Sequence, residues 1–158
     1  MEIENYCSTI NEVFNGEPWF GKSLVGSLQN IPLKNWNVKP KRTSNSIASI
    51  VCHVIDWKYF VIEKLKGNAS FDIELNTKAD WRENVVVSSE EERDKILLEL
   101  KVSQEELIKL VKEKKETWLS EKTAGKQYTN DFMLHGVLQH DVYHLGQINL
   151  INSQLNTL

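Results

Sequence analysis

The sequence predicts an all-α protein, a four-helix bundle, on three observations. Apolar residues recur at helical spacing over four long segments, and strand-like alternation is scarce. Gly and Pro, seven and three among 158 residues, cluster between residues 16 and 32. Long amphipathic helices with few breakers bury their apolar stripes against one another. The chain reads as one domain, residues 1–158, long enough to bury a core without disulfide staples.

The first helix is expected over residues 2–15, with Ile3, Tyr6, Ile10 and Val13/Phe14 on one face. It breaks at NGEPWFG, residues 15–21, where Asn-Gly and Pro18 favour a turn. Leu24, Val25 and Leu28 resume the apolar pattern up to Ile31-Pro32, and the polar loop LKNWNVKPKRT follows. Ser44 or Asn45 is placed to cap a second long helix that runs to about Lys66, with Gly67-Asn68 as its stop. Residues 68–87 read as irregular and carry Phe71 and Trp81; connections of that length often line a site or an interface. Ser88 and Ser89 precede Glu91 and Glu92, two overlapping capping boxes that open the third helix. Ile96, Leu97, Leu100, Leu107, Leu110 and Val111 form its stripe through about Lys115. After the loop EKTAGKQYTN, Asn130 caps a fourth helix from Asp131 to about Ser153.

Composition removes several classes of function. A net charge of −3 exerts no global pull toward nucleic acid or an anionic membrane. The basic-looking run KLVKEKKE, residues 109–116, interleaves lysine with glutamate at a helix end and reads as a solvated face. Cys7 and Cys52 show no paired spacing and fit small core residues in a reducing cytoplasm. The N-terminal segment has no apolar run of the signal-peptide kind, and no stretch approaches a membrane span, so a cytoplasmic protein is expected.

The chemistry concentrates in QHDVYHLGQINLI, residues 139–151. On a wheel of about 100° per residue, His144 falls about 40° from His140, with Met133, Val137, Gln147 and Ile151 on the same stripe. That stripe is polar at its centre and apolar at its ends. Polar side chains inside a bundle need partners, or each costs about 1–3 kcal/mol. Two imidazoles at i and i+4 can converge on one ion. His53 shares its helix face with Ile50, Trp57 and Phe60, and mid-helix placement lets it meet the pair at one level. His135 lies about 140° away from His140 and points elsewhere. Three neutral imidazoles without a fourth protein ligand make an open, catalytic kind of metal site; a hydrogen-bonded histidine cluster is the competing reading. Asp56 and Asp141 are set off the histidine faces, as outer or surface groups. Gln147 and Tyr143 are candidates to orient a bound species or a ligand imidazole, and Trp57 and Phe60 to wall a pocket.

Three segments also carry a resemblance: GEPWFGKSLVGSLQNI, SIASIVCHVIDWKYFVIEKLKG and HGVLQHDVYHLGQINLI. They resemble the N-terminal signature, the second helix and the HDxYHxGQI-bearing last helix of the DinB-like (damage-inducible protein, YfiT-like) metalloenzymes. The resemblance implies a bundle in up-down-down-up order, often a homodimer. It implies a divalent metal, zinc or nickel, held by three histidines that correspond to His53, His140 and His144. Trp19 joins the pocket-wall candidates through the N-terminal signature alone. The implied function is a metal-dependent enzyme on a small-molecule substrate, of the thiol S-transferase type. There a metal-activated thiolate attacks an electrophile, with a low-molecular-weight thiol such as bacillithiol as cofactor. A metal-dependent hydrolase and a non-catalytic metal-binding stress-response module are the alternatives. No nucleic-acid partner is expected, despite the damage-inducible name.

Overall fold

The computed structural model describes residues 1–41 and 45–156, and among these it is all-helical, with no strand. Four long helices form the body: α1 (Ile3–Asn15), α3 (Ile47–Leu65), α4 (Glu90–Lys112) and α5 (Asn130–Asn156), with a short α2 (Leu24–Leu28) after the NGEPWFG turn. Both α1 and α3 pack against α4 and α5, which puts α1 and α3 at opposite corners. The core divides into two apolar clusters. Tyr6, Ile10, Val61, Leu107 and Leu134 belong to one, and Phe14, Ile55, Leu100, Leu145 and Ile148 to the other. Along α1 and α5 the chain passes from the first cluster to the second, and along α3 and α4 the reverse. That sense is compatible with an up-down-down-up order.

Helix starts follow cap chemistry, with two corrections. Ser46 caps α3, its hydroxyl accepting from the Ser49 amide at 3.2 Å; Ser44 lies outside the described residues, and Asn45 stands one place too early. Ser89 caps α4 by accepting from the Glu92 amide, while the Glu92 carboxylate accepts from the Ser88 amide at 2.6 Å. The first bond is the forward half of a capping box, and the returning carboxylate bond reaches one residue further back, to Ser88. The helix ends at Lys112, three residues short of the expected Lys115, and a 3-10 turn follows at Glu116–Ser120. At α5 the cap is Thr129, whose hydroxyl accepts from the Phe132 amide. Asn130 instead donates its side-chain amide to the Trp118 carbonyl at 2.9 Å, which ties the preceding turn to the helix.

Between the two apolar clusters lies a polar layer that touches every long helix. Lys58 on α3 is fully buried and donates to Asp141 of α5 at 2.5 Å and to Gln104 of α4 at 2.9 Å. Gln104 in turn donates to Asn11 of α1 at 2.9 Å. Asp141, expected as an outer or surface group near the histidines, is thus one of the most buried side chains and serves the ion pair. Its wheel angle put it off the histidine stripe, but that side of α5, with Leu134, Leu145 and Ile148, faces the bundle axis. Asp56 is also engaged, holding Arg82 through both carboxylate oxygens.

The polar layer makes a prediction. Asp141→Ala leaves the Lys58 ammonium buried without its counter-charge and lowers stability by about 3–5 kcal/mol. The double replacement Lys58→Met with Asp141→Leu recovers most of that loss, because it removes both charges while filling the space. Urea unfolding midpoints of the three proteins check both statements.

Candidate metal centre

His53 stands midway along α3, and His140 and His144 lie one turn apart on α5. Lys58 follows His53 on the same helix, and Asp141 adjoins His140, so the buried ion pair sets the level at which the three imidazoles meet. The Nε2 of His140 lies 2.9 Å from the Nε2 of His53 and 3.1 Å from the Nε2 of His144. One nitrogen from each ring lies within 4.8 Å of the others, a group that could hold a metal ion.

The outer nitrogens show which tautomers are present. His53 Nδ1 lies 2.6 Å from the Asp80 backbone carbonyl, which only accepts, so Nδ1 carries the proton and Nε2 a lone pair. His144 Nδ1 donates to Gln147 Oε1 at 2.7 Å, which leaves its Nε2 bare as well. His140 Nε2 faces both of these. If it carries a proton it can serve one of the two lone pairs, and the other contact stays repulsive. If it carries none, its proton is on Nδ1, which is buried and has no partner. Neither arrangement satisfies the three rings by hydrogen bonds alone.

A cation among the three lone pairs removes their mutual repulsion, with the His140 proton on Nδ1, where it has no partner among the described residues. Two nitrogens about 2.0–2.1 Å from a common ion stand about 2.9–3.4 Å apart at ligand angles of about 90–110°. The two Nε2 separations fall in that range. The imidazoles are also held in the ligand form, which is neutral. Burial lowers all three pKa values from the ordinary 6.5: His140 to about 2, with the neighbouring His144, His53 and Lys58 adding to the effect, and His144 to about 4. For His53 the lowering by burial is partly offset by Asp80. The donor set therefore fits a divalent metal, with zinc and nickel both suited to imidazole.

Residues 68–87 supply the rest of the surroundings. Trp81 stacks on His53, its ring parallel within 5° and 3.8 Å away. The Asp80 carboxylate accepts from the Trp57 indole at 2.9 Å and from the Asn76 amide at 2.9 Å, which fixes the loop whose carbonyl holds His53. Arg82 fastens the same loop to Asp56 on α3 and Glu99 on α4. Lys64 donates to the carbonyls of Asn68, Ala69 and Phe71, securing the loop's near end.

The expected site residues divide cleanly. Gln147 Oε1 accepts from His144 Nδ1, and Trp57 and Phe60 line a cleft beside His140. Tyr143 places its ring 5.0 Å from His144 but is largely exposed. Trp19 is fully exposed and lines neither the cleft beside His140 nor the groove between α1, α2 and α4. His135 points away from the centre, onto Tyr6 and Asp131. Asp80 and Lys58 went unnoticed in the sequence. A lone Asp in an irregular segment and a Lys on an apolar stripe carry no spacing signal; the stripe position of Lys58 was the one available hint.

The lowered histidine pKa values set a pH response for the metal-free protein. Each folded-state value lies below the unfolded one, so the unfolded chain binds protons first as pH falls. Stability is full above about pH 6.5 and drops as acid is added toward pH 4. With chelator present, the urea midpoint at pH 5 is expected below that at pH 7.5, and His140→Asn shrinks the difference. An unchanged difference in that variant contradicts the assignment.

No helix among the described residues is long and apolar enough to cross a membrane. Neither the comparison with curated proteins nor that with solved structures returns a match. The family model of the DinB superfamily matches residues 21–148, from the turn after α1 through both histidine-bearing helices. The match covers most of the chain and contains His53, His140 and His144, so the protein belongs to the DinB superfamily.

Proposed function

We propose that the protein is a divalent-metal-dependent enzyme that acts on a small molecule, of the thiol S-transferase type. The observation that carries this reading is the convergence of three imidazole Nε2 atoms whose hydrogen-bonding demands conflict unless a cation stands among them. Three histidines and no fourth protein ligand leave coordination positions for a substrate. A divalent ion held there supplies Lewis acidity and lowers the pKa of a bound thiol or water.

The chain's own residues prepare the centre. The Asp80 carbonyl and the Gln147 amide keep protons on the Nδ1 atoms of His53 and His144, so both rings present lone pairs inward. Trp81 fixes the plane of His53, and the loop it belongs to shields that ring from water. The carboxylates that act on the histidines are both engaged, Asp80 with Trp57 and Asn76, Asp56 with Arg82. Neither is offered as a general base. A thiol, with an ordinary pKa near 8.5, loses its proton without such help more readily than water does. That difference favours thiol transfer over hydrolysis, with bacillithiol or another low-molecular-weight thiol as co-substrate.

The test uses protein purified without a histidine tag. About one zinc or nickel ion per chain is expected, together with conjugation of bacillithiol or glutathione to monochlorobimane that chelator abolishes. His144→Ala is expected to lose both the ion and the conjugation. Retention of the ion with no conjugation by several thiols would discard the S-transferase reading.

A further inference from the structure

A cleft of about 310 Å³ lies between α3 and α5, with the long loop and the turn before α5 at its edge. Trp57 and Phe60 form one wall, Met133 and Val137 the other, and His140 closes the inner end. Leu75 and Phe132 stand at the mouth, and both are about two-thirds exposed. No Asp, Glu, Lys or Arg lines it. At about 30 Å³ per liquid water, the space corresponds to about ten heavy atoms.

We infer that this cleft receives an uncharged, apolar or aromatic group of the substrate, and so seats the substrate's reacting atom beside His140. The inference rests on the reading of His53, His140 and His144 as the reaction centre, and it adds the class of molecule that reaches it. An anion entering the cleft would exchange water for aromatic and aliphatic carbon, and the two ammoniums near Phe60 are already engaged, Lys126 with Asp72 and Lys64 with the carbonyls of Asn68, Ala69 and Phe71. A cation is disfavoured for a second reason. Aromatic walls attract cations, but the Phe60 ring already carries two, Lys64 at 5.4 Å and Lys126 at 5.5 Å from its centre. A third positive charge at that ring meets their repulsion. An apolar ring meets none of these costs and covers the carbon surface that Leu75 and Phe132 leave to solvent.

Gly136 gives a clean way to close the cleft. It lies on α5 among the lining residues, and a Cβ added there meets nothing within 4 Å. The first atom of the Gly136→Leu side chain therefore enters open space, and the change replaces a poor helix former by a good one; an unchanged urea midpoint checks that the variant is folded. The probes are 2-naphthylmethanol, 2-naphthylmethylammonium and naphthalene-2-sulfonate, which share a ten-carbon ring system and differ in charge. Binding to the metal-loaded protein is followed by quenching of tryptophan fluorescence, since Trp57 forms the wall. The neutral probe is expected to bind at least tenfold tighter than either charged one. Gly136→Leu is expected to weaken it at least tenfold while metal content stays at the wild-type level. Equal binding of a charged probe, or wild-type binding by Gly136→Leu, overturns the inference. Failure of the metal reading shows separately, as protein without bound ion, because the binding signal requires no turnover.

Discussion

The ion pair between Lys58 and Asp141 is the constraint on which the site depends. It is buried, and it joins the two helices that carry the histidines, one residue past His140 on α5 and five past His53 on α3. Apolar packing alone lets neighbouring helices slide by a turn at modest cost, since one Leu or Ile replaces another. A buried charge has no such freedom, because any slip leaves it without its counter-ion. Gln104 and Asn11 extend the same layer to α4 and α1, so one chain of hydrogen bonds locks the relative height of all four long helices. The level at which three imidazoles meet follows from that lock.

Within that frame the centre is a place of deliberate conflict. Everything on the outer side of the rings is arranged to turn lone pairs inward: a backbone carbonyl on His53, an amide oxygen on His144, a stacked indole holding the plane. Three lone pairs turned on one point repel one another, and burial among neighbouring rings keeps the imidazoles neutral, with the pKa values of His140 and His144 lowered. Inward lone pairs of three histidines gathered at one point mark a functional site. The apolar cleft beside His140 gives the centre a direction of approach, with exposed Leu75 and Phe132 at its entrance.

Much of this was legible in the sequence, for reasons that can be stated residue by residue. Helical periodicity located the four long helices, and a polar break in an apolar stripe located His140 and His144. His53 followed from its place on an apolar face. Gln147 was found by the same wheel. What the wheel could not show was which flank of α5 faces the bundle axis. That choice depends on three other helices, and it decided that Asp141 is buried while Gln147 and His140 lie at the edge. Asp80 escaped, and Trp81 could be placed only in a segment of the kind that lines a site, because a loop has no period: their positions are set by Arg82, Lys64 and the Asn76 turn, contacts made across the chain. Trp19 shows the opposite case, a residue suggested by resemblance alone that the fold leaves fully exposed.

The central claim is that three inward lone pairs await one cation. The most direct measurement is X-ray absorption at the metal edge of protein loaded with one equivalent of nickel or zinc. The account predicts three imidazole nitrogens at about 2.0–2.1 Å, with the outer-shell scattering of histidine rings, and one imidazole fewer in His144→Ala. A spectrum without imidazole scattering, or one that His144→Ala leaves unchanged, would contradict it.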